Sequence, residues 1–336
     1  MDQIDAVTKD ILRICVPIPF PLKTVNVYAL IGEEGWTLID TAIGTPETRA
    51  AFYAGLEQAG LSIKRLQAIV LTHHHPDHIG LSGELQEQSG APVYMHPLDK
   101  ATLALFGTPH AFAQSSHFFA QHGLSSATKL RSAQAGNTVS MQQSIHVPRQ
   151  ETIQTVEDGE ELLLSGQHYR VIWTPGHADG QVCLYRPQDR IFLAADHVLP
   201  RITPNIGLYS EQARPDPLDD YLKSLEKVAD LPASMVLPGH GAPFTGLAAR
   251  VAEIKQHHVE REQQILHLLE HTPQNATQLA GQLFGSRLND ADVWRMGVAE
   301  VIAHLEYMCN QRVLMQQITQ DGQLIYAPLN SIMKRP

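Results

Sequence analysis

The chain has 336 residues, of which 43% are hydrophobic and 18% are charged, and its formal net charge is −10 at pH 7. This length predicts one large domain with a smaller one. The ordinary proportions of hydrophobic and charged residues exclude a largely disordered chain. The acidic balance disfavours binding to nucleic acid or to an anionic membrane surface. Three widely spaced cysteines contain no CxxC pair, so they favour neither a disulfide framework nor a thiolate zinc site. With no apolar run near the ~20 residues that cross a bilayer and no signal-like start, we expect a cytoplasmic protein.

The first third of the chain predicts strands that alternate with helices. Residues 24–32 and 36–44 are β-branched and aromatic runs joined by a short turn, which predicts a hairpin. Residues 45–60 start with Thr-Pro and end in Gly, which predicts a helix. Residues 66–72 form a continuous apolar run, as expected of a strand buried on both faces. This rhythm predicts a layered α/β architecture.

Residues 97–150 interrupt the rhythm, because they are rich in Ala, Gln, Ser and His. Weak helical periodicity at 99–106 and 110–122 predicts an inserted, partly helical lid. Strands return after residue 150, and a Pro-rich loop at about 200–217 precedes an amphipathic helix. The lid and this loop are therefore the two long insertions of the large domain.

After about residue 245 the composition changes to helices. A long amphipathic helix, two further helices and a strand pair around an Asp-Gly turn follow one another, which is the order of a winged-helix module. We therefore predict one domain over residues 1–245 and a winged-helix-like helical module over residues 246–336.

The segment VLTHHHPDHIG places five ionisable side chains within six residues, straight after an apolar strand, and four of them have the spacing His73-x-His75-x-Asp77-His78. Imidazoles and carboxylates are the ligands that zinc and similar first-row metals bind. His73 and His75 can face one centre because they lie two apart, and Asp77 and His78 can face a neighbouring centre. The middle histidine, His74, is expected to point away, as neighbours do on an extended segment. A polar loop with an accidental run of histidines is the alternative, which this spacing disfavours.

Three further residues of ligand type stand where apolar strands end: His177 in TPGH, Asp196 in AAD and His240 in PGHG. In open α/β sheets, sites are built at the edge where strands end. We therefore expect these three side chains to lie beside the histidine-rich segment.

The motifs THHHPDH, TPGH, AAD and PGHG, in this order, resemble the metallo-β-lactamase superfamily of metallohydrolases over about residues 10–245. The resemblance implies an αββα sandwich of two facing sheets with helices outside and two metals at one edge. The ligands that it implies are His73, His75 and His177 for one metal, Asp77, His78 and His240 for the other, and Asp196 as the bridge. Asp40 matches a family position whose side chain supports a metal-binding histidine without binding the metal itself. The alternative is that Asp40 only forms the turn at the end of its strand.

The resemblance implies two divalent ions, with zinc favoured and iron or manganese as alternatives. Such a pair would provide a metal-bridging hydroxide near neutral pH and polarise the oxygen under attack. Asp77 could bind a metal and also accept a proton from the nucleophile. Tyr209 is a candidate donor that stabilises this oxygen, and His110, His117 and His122 are others, each with a packing role as its alternative.

The superfamily hydrolyses thioesters, lactones, β-lactams, phosphodiesters and nucleic acids, so the fold alone leaves the substrate open. The ligand set is similar to that of glyoxalase II, whose glutathione-binding helices are replaced here, and to that of lactonases, whose Tyr after the bridging Asp is replaced by His197-Val198. We expect a small ester-like substrate (thioester, lactone or related carboxyl ester) in an apolar pocket. The residues available for this pocket, which could equally form the core of the lid, are Phe106, Phe112, Phe118, Phe119, Ile206 and Leu208.

Two alternatives stay open: a phosphodiesterase or endoribonuclease of the same superfamily, and a non-catalytic regulator that binds nucleic acid through the winged-helix-like module. The helix expected at 290–312 would be the recognition helix. Its charged residues are Arg295 and Arg312 against Asp290, Asp292, Glu300 and Glu306. An acidic helix is unsuited to phosphate contact. We therefore expect a small-molecule partner without nucleic acid or membrane, and a module that packs on the core or forms a homodimer interface.

Overall fold

The computed structural model describes residues 4–105, 108–124, 144–211, 213–288 and 291–329. The strands are β1 (Ile4–Thr8), β2 (Ile11–Pro17), β3 (Thr24–Ile31), β4 (Trp36–Ile39), β5 (Leu66–Val70), β6 (Val93–Met95), β7 (Ile153–Thr155), β8 (Glu161–Leu164), β9 (Gln167–Trp173), β10 (Val182–Arg186), β11 (Ile191–Ala195), β12 (Met235–Pro238), β13 (Leu314–Ile318) and β14 (Leu324–Pro328). The helices are α1 (Pro46–Gln58), α2 (Pro76–Ile79), α3 (Ser82–Ser89), α4 (Pro97–Leu105), α5 (Pro109–Gln121), α6 (Pro217–Ala229), α7 (Leu247–Leu269), α8 (Ala276–Phe284) and α9 (Ala291–Asn310). Phe106, Asp290 and the part of the predicted lid at 125–143 lie outside the described residues.

The chain forms two compact units. The first contains the described residues of Met1–Ala104, Ser140–Pro204 and Lys227–Arg250. The second contains those of Leu105–Val139, Asn205–Glu226 and Val251–Pro336. Within the described part of the chain, no helix combines the length and the apolar character that a membrane crossing needs.

The first sheet of the first unit has seven strands in the order β1-β2-β3-β4-β5-β6-β7. The pairs from β1 to β4 are antiparallel, and the pairs from β4 to β7 are parallel. The hairpin predicted for residues 24–44 is confirmed as β3 and β4, and the predicted helix at 45–60 is confirmed as α1, which has Thr45 as its N-cap. Because β4 and β5 run parallel, both end at the same edge of the sheet, directly before Asp40 and two residues before Thr72.

The second sheet has five strands in the order β12-β11-β10-β9-β8. Strands β11 and β12 are parallel, and the other neighbours are antiparallel. Strand β11 ends at Ala195, directly before Asp196, and β12 ends two residues before His240. The parallel pair therefore carries Asp196 and His240 out at one edge.

The core of the first unit lies between the two sheets and on the outer face of the first sheet. Alternate residues of β3 separate these layers, since Tyr28 and Leu30 pack with the second sheet while Val27 packs in the outer cluster with Phe52 of α1 and Leu85 of α3. Strand β3 is thus buried on both faces, which explains its largely apolar sequence. The predicted α/β class with two packed sheets is confirmed.

The second unit has its own apolar core, formed by α5, α7, α8, α9 and the β13–β14 hairpin. Phe119 of α5 packs in the same cluster as Ile265, Leu279 and Ile302 of the three C-terminal helices. The order of three helices followed by a hairpin agrees with the predicted one. The winged-helix character of this module stays a prediction.

A buried arginine joins the two sheets of the first unit. The Arg186 side chain, at the end of β10, is only 3% exposed, and it donates to both oxygens of Asp10, to Asp189 and to the Tyr169 hydroxyl. Burial alone would raise the pKa of Asp10, but hydrogen bonds from Thr8 and Arg186 and the charge of Arg186 lower this pKa below its ordinary value of 3.8. Asp10, in the turn between β1 and β2, is therefore a charged group that ties the first sheet to Arg186 of the second.

We predict that Asp10→Ala lowers the free energy of unfolding by about 2 kcal/mol at pH 7, because it removes charge-assisted hydrogen bonds from a buried cation. A carboxyl group whose pKa is depressed by folding stabilises the protein above its unfolded pKa and loses this effect as the pH falls. The loss in the variant should therefore be full at pH 7, should begin to shrink as the pH falls through about 4, and should vanish only below the depressed pKa of Asp10 in the folded protein. Denaturant unfolding at both pH values, with the exposed-residue variant Glu34→Ala as control, checks this; a loss that does not depend on pH would contradict it.

Candidate metal centre

The histidine-rich segment leaves β5 at the edge where β4 also ends. Pro76 starts the short helix α2, with His75 as its N-cap, and the His78 amide donates to the His75 carbonyl (2.9 Å). This turn brings Asp77 and His78 back beside His73. The side chains of His73 and His78 are fully buried, and Asp77 is 8% exposed.

The first group of ligand-type side chains consists of His73, His75 and His177. One ring nitrogen from each lies within 4.8 Å of the others. The ring centroids of His73 and His75 are 4.7 Å apart, and His177 lies 5.1 and 4.4 Å from them. The structure thus brings together the predicted first trio, which comes from two loops about a hundred residues apart.

The second group consists of Asp77, His78 and His240, whose ligand-type atoms also lie within 4.8 Å of one another. The Oδ2 atom of Asp77 is 3.5 Å from His240 Nε2 and 3.9 Å from His78 Nε2. This is the predicted second trio.

Asp196 lies between the two trios. Its Oδ2 is 3.5 Å from His177 Nε2, in the first trio, and 3.2 Å from His240 Nε2, in the second. Its Oδ1 is 3.6 Å from His78 Nε2. One carboxylate therefore reaches members of both trios, which is the geometry that a bridging ligand needs.

Hydrogen bonds on the far sides of the rings fix which nitrogen faces the centre. Asp40 Oδ2 lies 2.8 Å from His78 Nδ1 and accepts a bond from the Thr72 hydroxyl (2.7 Å). The His240 Nδ1 donates to the Thr24 carbonyl (2.6 Å). Such bonds set the tautomer and leave Nε2 as the lone-pair donor. One oxygen of Asp40 also lies within 4.8 Å of a ring nitrogen of His73 and of His78. Both Asp40 oxygens are engaged by Thr72 and His78, so we interpret Asp40 as a residue that supports His78.

The donor atoms at the centre fit a cation. Among the described residues, no hydrogen-bond partner is found for the buried Nε2 atoms of His73, His78 and His240 or for Asp196 Oδ1. Leaving a polar atom buried and unsatisfied costs about 1–3 kcal/mol, so four convergent atoms of this kind need a ligand. Burial lowers the pKa of His73 well below its ordinary value, which favours the neutral imidazole that binds metals. Burial would raise the pKa of Asp196, but His240 and His78 hold it well below its usual range.

The loop that carries His240 is held by two polar residues of β3. The Asn26 side chain donates to the Pro238 and Gly241 carbonyls (2.9 and 2.6 Å), and the Tyr28 hydroxyl donates to the Pro238 carbonyl (2.7 Å). Sequence reasoning missed both residues, although a buried Asn within an apolar strand was a signal for a structural contact. A Cβ atom at Gly239 would lie 2.2 Å from Asp196 Oδ1, so only glycine allows this loop to pass the carboxylate.

The middle histidine of the motif turns to another partner. The His74 Nδ1 lies 3.1 Å from a carboxylate oxygen of Asp99, in the first turn of α4. His74 belongs to neither trio. Asp99 was also missed, because nothing in its local sequence marks it as a partner of the metal-binding loops.

The candidate oxygen-stabilising residues lie in the second unit. The Tyr209 hydroxyl donates to Asn205 (2.7 Å), and burial raises the pKa of Tyr209 to about 12. The His122 ring stacks on Tyr326, and burial lowers the pKa of His122 to about 4. His110 and His117 are exposed on α5. The role of each in stabilising a substrate oxygen stays a prediction.

Comparison with known proteins agrees with this geometry. A model of the metallo-beta-lactamase superfamily matches residues 21–240 of the chain. The chain belongs to the metallo-β-lactamase superfamily. It is accordingly a metal-dependent hydrolase, and its two-sheet architecture is the fold of that superfamily.

Similarity to two solved structures extends over nearly the whole chain. The structure of a metallo-beta-lactamase family protein from Thermus thermophilus, TTHA1429, is similar with a TM-score of 0.85 at 35% identity, covering 96% of this chain and all (100%) of that one. A beta-lactamase domain protein from Burkholderia ambifaria has the same TM-score at 25% identity, covering 97% and 94%. The probable metallo-hydrolase YqjP of Bacillus subtilis is 29% identical over 287 residues, covering 82% of this chain and 86% of the relative. The atrochrysone carboxyl ACP thioesterase of Aspergillus fumigatus is 26% identical over 113 residues, covering 34% and 33%.

We predict that Gly239→Ala reduces metal binding by at least about 10-fold, because the added Cβ would displace Asp196 or move the His240 loop. Titration with zinc in competition with a chromogenic chelator measures this. The control is Gly281→Ala, where the added Cβ would meet only ordinary contact at 3.4 Å. Equal zinc affinity in the two variants would contradict the close approach of the loop to the carboxylate.

Proposed function

We propose that this protein is a dinuclear metal-dependent hydrolase that acts on a small ester-like substrate: a thioester, a lactone or a related carboxyl ester. The observation that carries the proposal is the position of Asp196, whose carboxylate reaches both a trio of three histidines and a trio of one aspartate and two histidines. A centre for a single ion would need only one of these trios.

The donor set supports divalent ions of the zinc type, because imidazole and carboxylate are their usual protein ligands. His73, His75 and His177 would hold one ion, and Asp77, His78 and His240 would hold the other. When bound, such ions supply Lewis acidity and lower the pKa of water toward neutrality.

The residues of the chain would orient the reaction. Asp196, buried to 4% exposure, would fix the spacing between the two trios. The Asp77 carboxylate lies 3.5 Å from His240 Nε2, at the second trio, so it would be the group that accepts a proton there. Asp40 would hold the His78 ring through Nδ1 and so aim Nε2 at its ion.

Three observations support a small ester-like substrate. A carboxyl-ACP thioesterase is among the relatives, with similarity over a third of the chain. The net charge of −10 opposes the approach of a polyanion. In the second unit, the Arg295 guanidinium lies over the Tyr209 ring at 5.4 Å from its centroid, and Glu300 is largely buried beside Arg261. The Arg295 cation of α9 is thus engaged within the unit, which disfavours a phosphate-binding surface on that helix.

We predict that purified protein reconstituted with zinc contains about two ions per chain and hydrolyses members of a panel of thioesters, lactones and aryl esters. The panel also includes phosphodiesters, short RNA and a chromogenic β-lactam, tested with zinc, manganese and iron. Metal content by atomic absorption and initial rates are the measurements. One ion per chain would contradict the dinuclear centre, and turnover of RNA or phosphodiesters alone would contradict the ester-like substrate.

We predict that Asp196→Ala lowers kcat/KM by at least about 1,000-fold for whichever substrate the panel identifies, because the link between the trios is lost. Circular dichroism should show a folded protein. The matched control is the exposed Asp230→Ala, which should retain the wild-type rate. Retained turnover in Asp196→Ala would mean that the reaction does not depend on a bridged centre.

A further inference from the structure

A single buried carboxylate joins the two loops that carry the first trio. Asp99, in the first turn of α4, is fully buried. Its Oδ2 accepts a hydrogen bond from the backbone amide of His74 (2.7 Å), and its Oδ1 accepts one from the backbone amide of Gly180 (2.6 Å). His74 lies between His73 and His75, and Gly180 follows His177 by three residues.

The two amides need this carboxylate. A buried backbone N–H that lacks an acceptor costs about 1–3 kcal/mol, and each loop contributes one such donor. The two oxygens of an ionised carboxylate accept one bond each and can therefore satisfy both loops at once. Bonds to an ionised acceptor are also about twice as strong as neutral ones.

The side chain of His74 belongs to the same contact. Its Nδ1 is 3.1 Å from Asp99 Oδ2, and only 19% of the side chain is exposed. The ring thus lies beside the carboxylate and not at either trio. This gives the middle histidine of the motif a partner.

Gly180 is fitted to the carboxylate. A Cβ atom at this position would lie 2.6 Å from the Asp99 amide nitrogen and 2.7 Å from its Oδ1. No side chain larger than hydrogen can be placed there without moving Asp99 or the loop. The loops are also joined directly, since the Val182 amide donates to the Thr72 carbonyl (2.9 Å). Asp99 therefore provides a second connection between the same two loops.

We propose that Asp99 is a positioning residue for the first metal trio, which holds the loop of His73 and His75 at a fixed separation from the loop of His177, with His74 as its side-chain partner. The inference rests on the proposed dinuclear function. It adds that binding of the first ion depends on a residue of α4 that contacts no ligand atom, whereas the second trio does not depend on it.

The test compares Asp99→Asn and Asp99→Ala with wild type in zinc titrations against a chromogenic chelator, which resolve the affinity and number of ions. The visible absorption of the cobalt-loaded protein reports the geometry of the ions independently. Glu47→Ala is the matched control, because Glu47 is an exposed acid in the first turn of α1 and shares the helix-terminal charge effect.

We expect Asp99→Ala to bind one of its two ions about 10-fold more weakly, the lower end of the effect of residues that orient ligands, and the other ion unchanged. Asp99→Asn should lie between this variant and wild type, because its one carbonyl oxygen replaces one acceptor while its NH₂ group faces a donor. His74→Ala keeps its backbone amide, so we expect an affinity within about 3-fold of wild type.

Wild-type affinity for both ions in Asp99→Ala would overturn the inference, and so would an equal loss of both ions, which indicates a general structural role. If Asp99→Ala does not fold, the Asp99→Asn variant decides, and wild-type affinity there overturns the inference. Complete loss of one ion in His74→Ala would make His74 a ligand and would also overturn it. Failure of the proposed function is distinguishable, because wild type itself would then bind fewer than two ions.

Discussion

The burial of the Asp196 carboxylate among the ring nitrogens of three histidines is the interaction on which the rest of the first unit depends. A charged group at 4% exposure is stable only where donors or cations surround it, and here His177, His240 and His78 approach it from separate loops. These loops must therefore end at one point. The parallel pairing of β11 with β12, and of β4 with β5, meets this requirement, because parallel strands end at a common edge.

Close packing around the carboxylate then restricts the residues that support it. Gly239 is required because its backbone passes so close to the Asp196 carboxylate that a Cβ atom would clash with it. Asn26 and Tyr28 of the opposite sheet hold the loop in that place. Asp40 takes a left-handed backbone conformation (φ 59°), in which its carboxylate meets Thr72 and His78. Aspartate tolerates this conformation better than most residues, and strained backbone is common at functional sites. Each restriction can be traced to the need to present Nε2 atoms to one small volume.

The sequence pointed to the ligand-type residues and, through the family resemblance, to Asp40, but not to the other residues that hold the loops. His177, Asp196 and His240 were predictable because each follows an apolar strand, and the strand-end rule needs no knowledge of the partner. Asp99 and Asn26 were not, since the bonds of Asp99 to Gly180 and of Asn26 to Pro238 join residues 81 and 212 positions apart. Local periodicity carries no information on such contacts, so the helices and strands could be predicted while their polar connections could not.

The same limit applies to the segment 97–150. Its helical periodicity correctly predicted α5, but periodicity identifies an apolar face and not what covers it. In the structure, Phe118 and Phe119 pack in the cluster of the C-terminal helices, and the Ser115 hydroxyl donates to the Tyr209 carbonyl (3.1 Å). The His122 carbonyl accepts bonds from the amide and the hydroxyl of Thr277, at the start of α8. Helix α5, the segment around Tyr209 and the C-terminal helices thus share one core, so a motion of α5 alone would expose apolar side chains and break these bonds. Any rearrangement of α5 must therefore involve the core of the second unit as a whole.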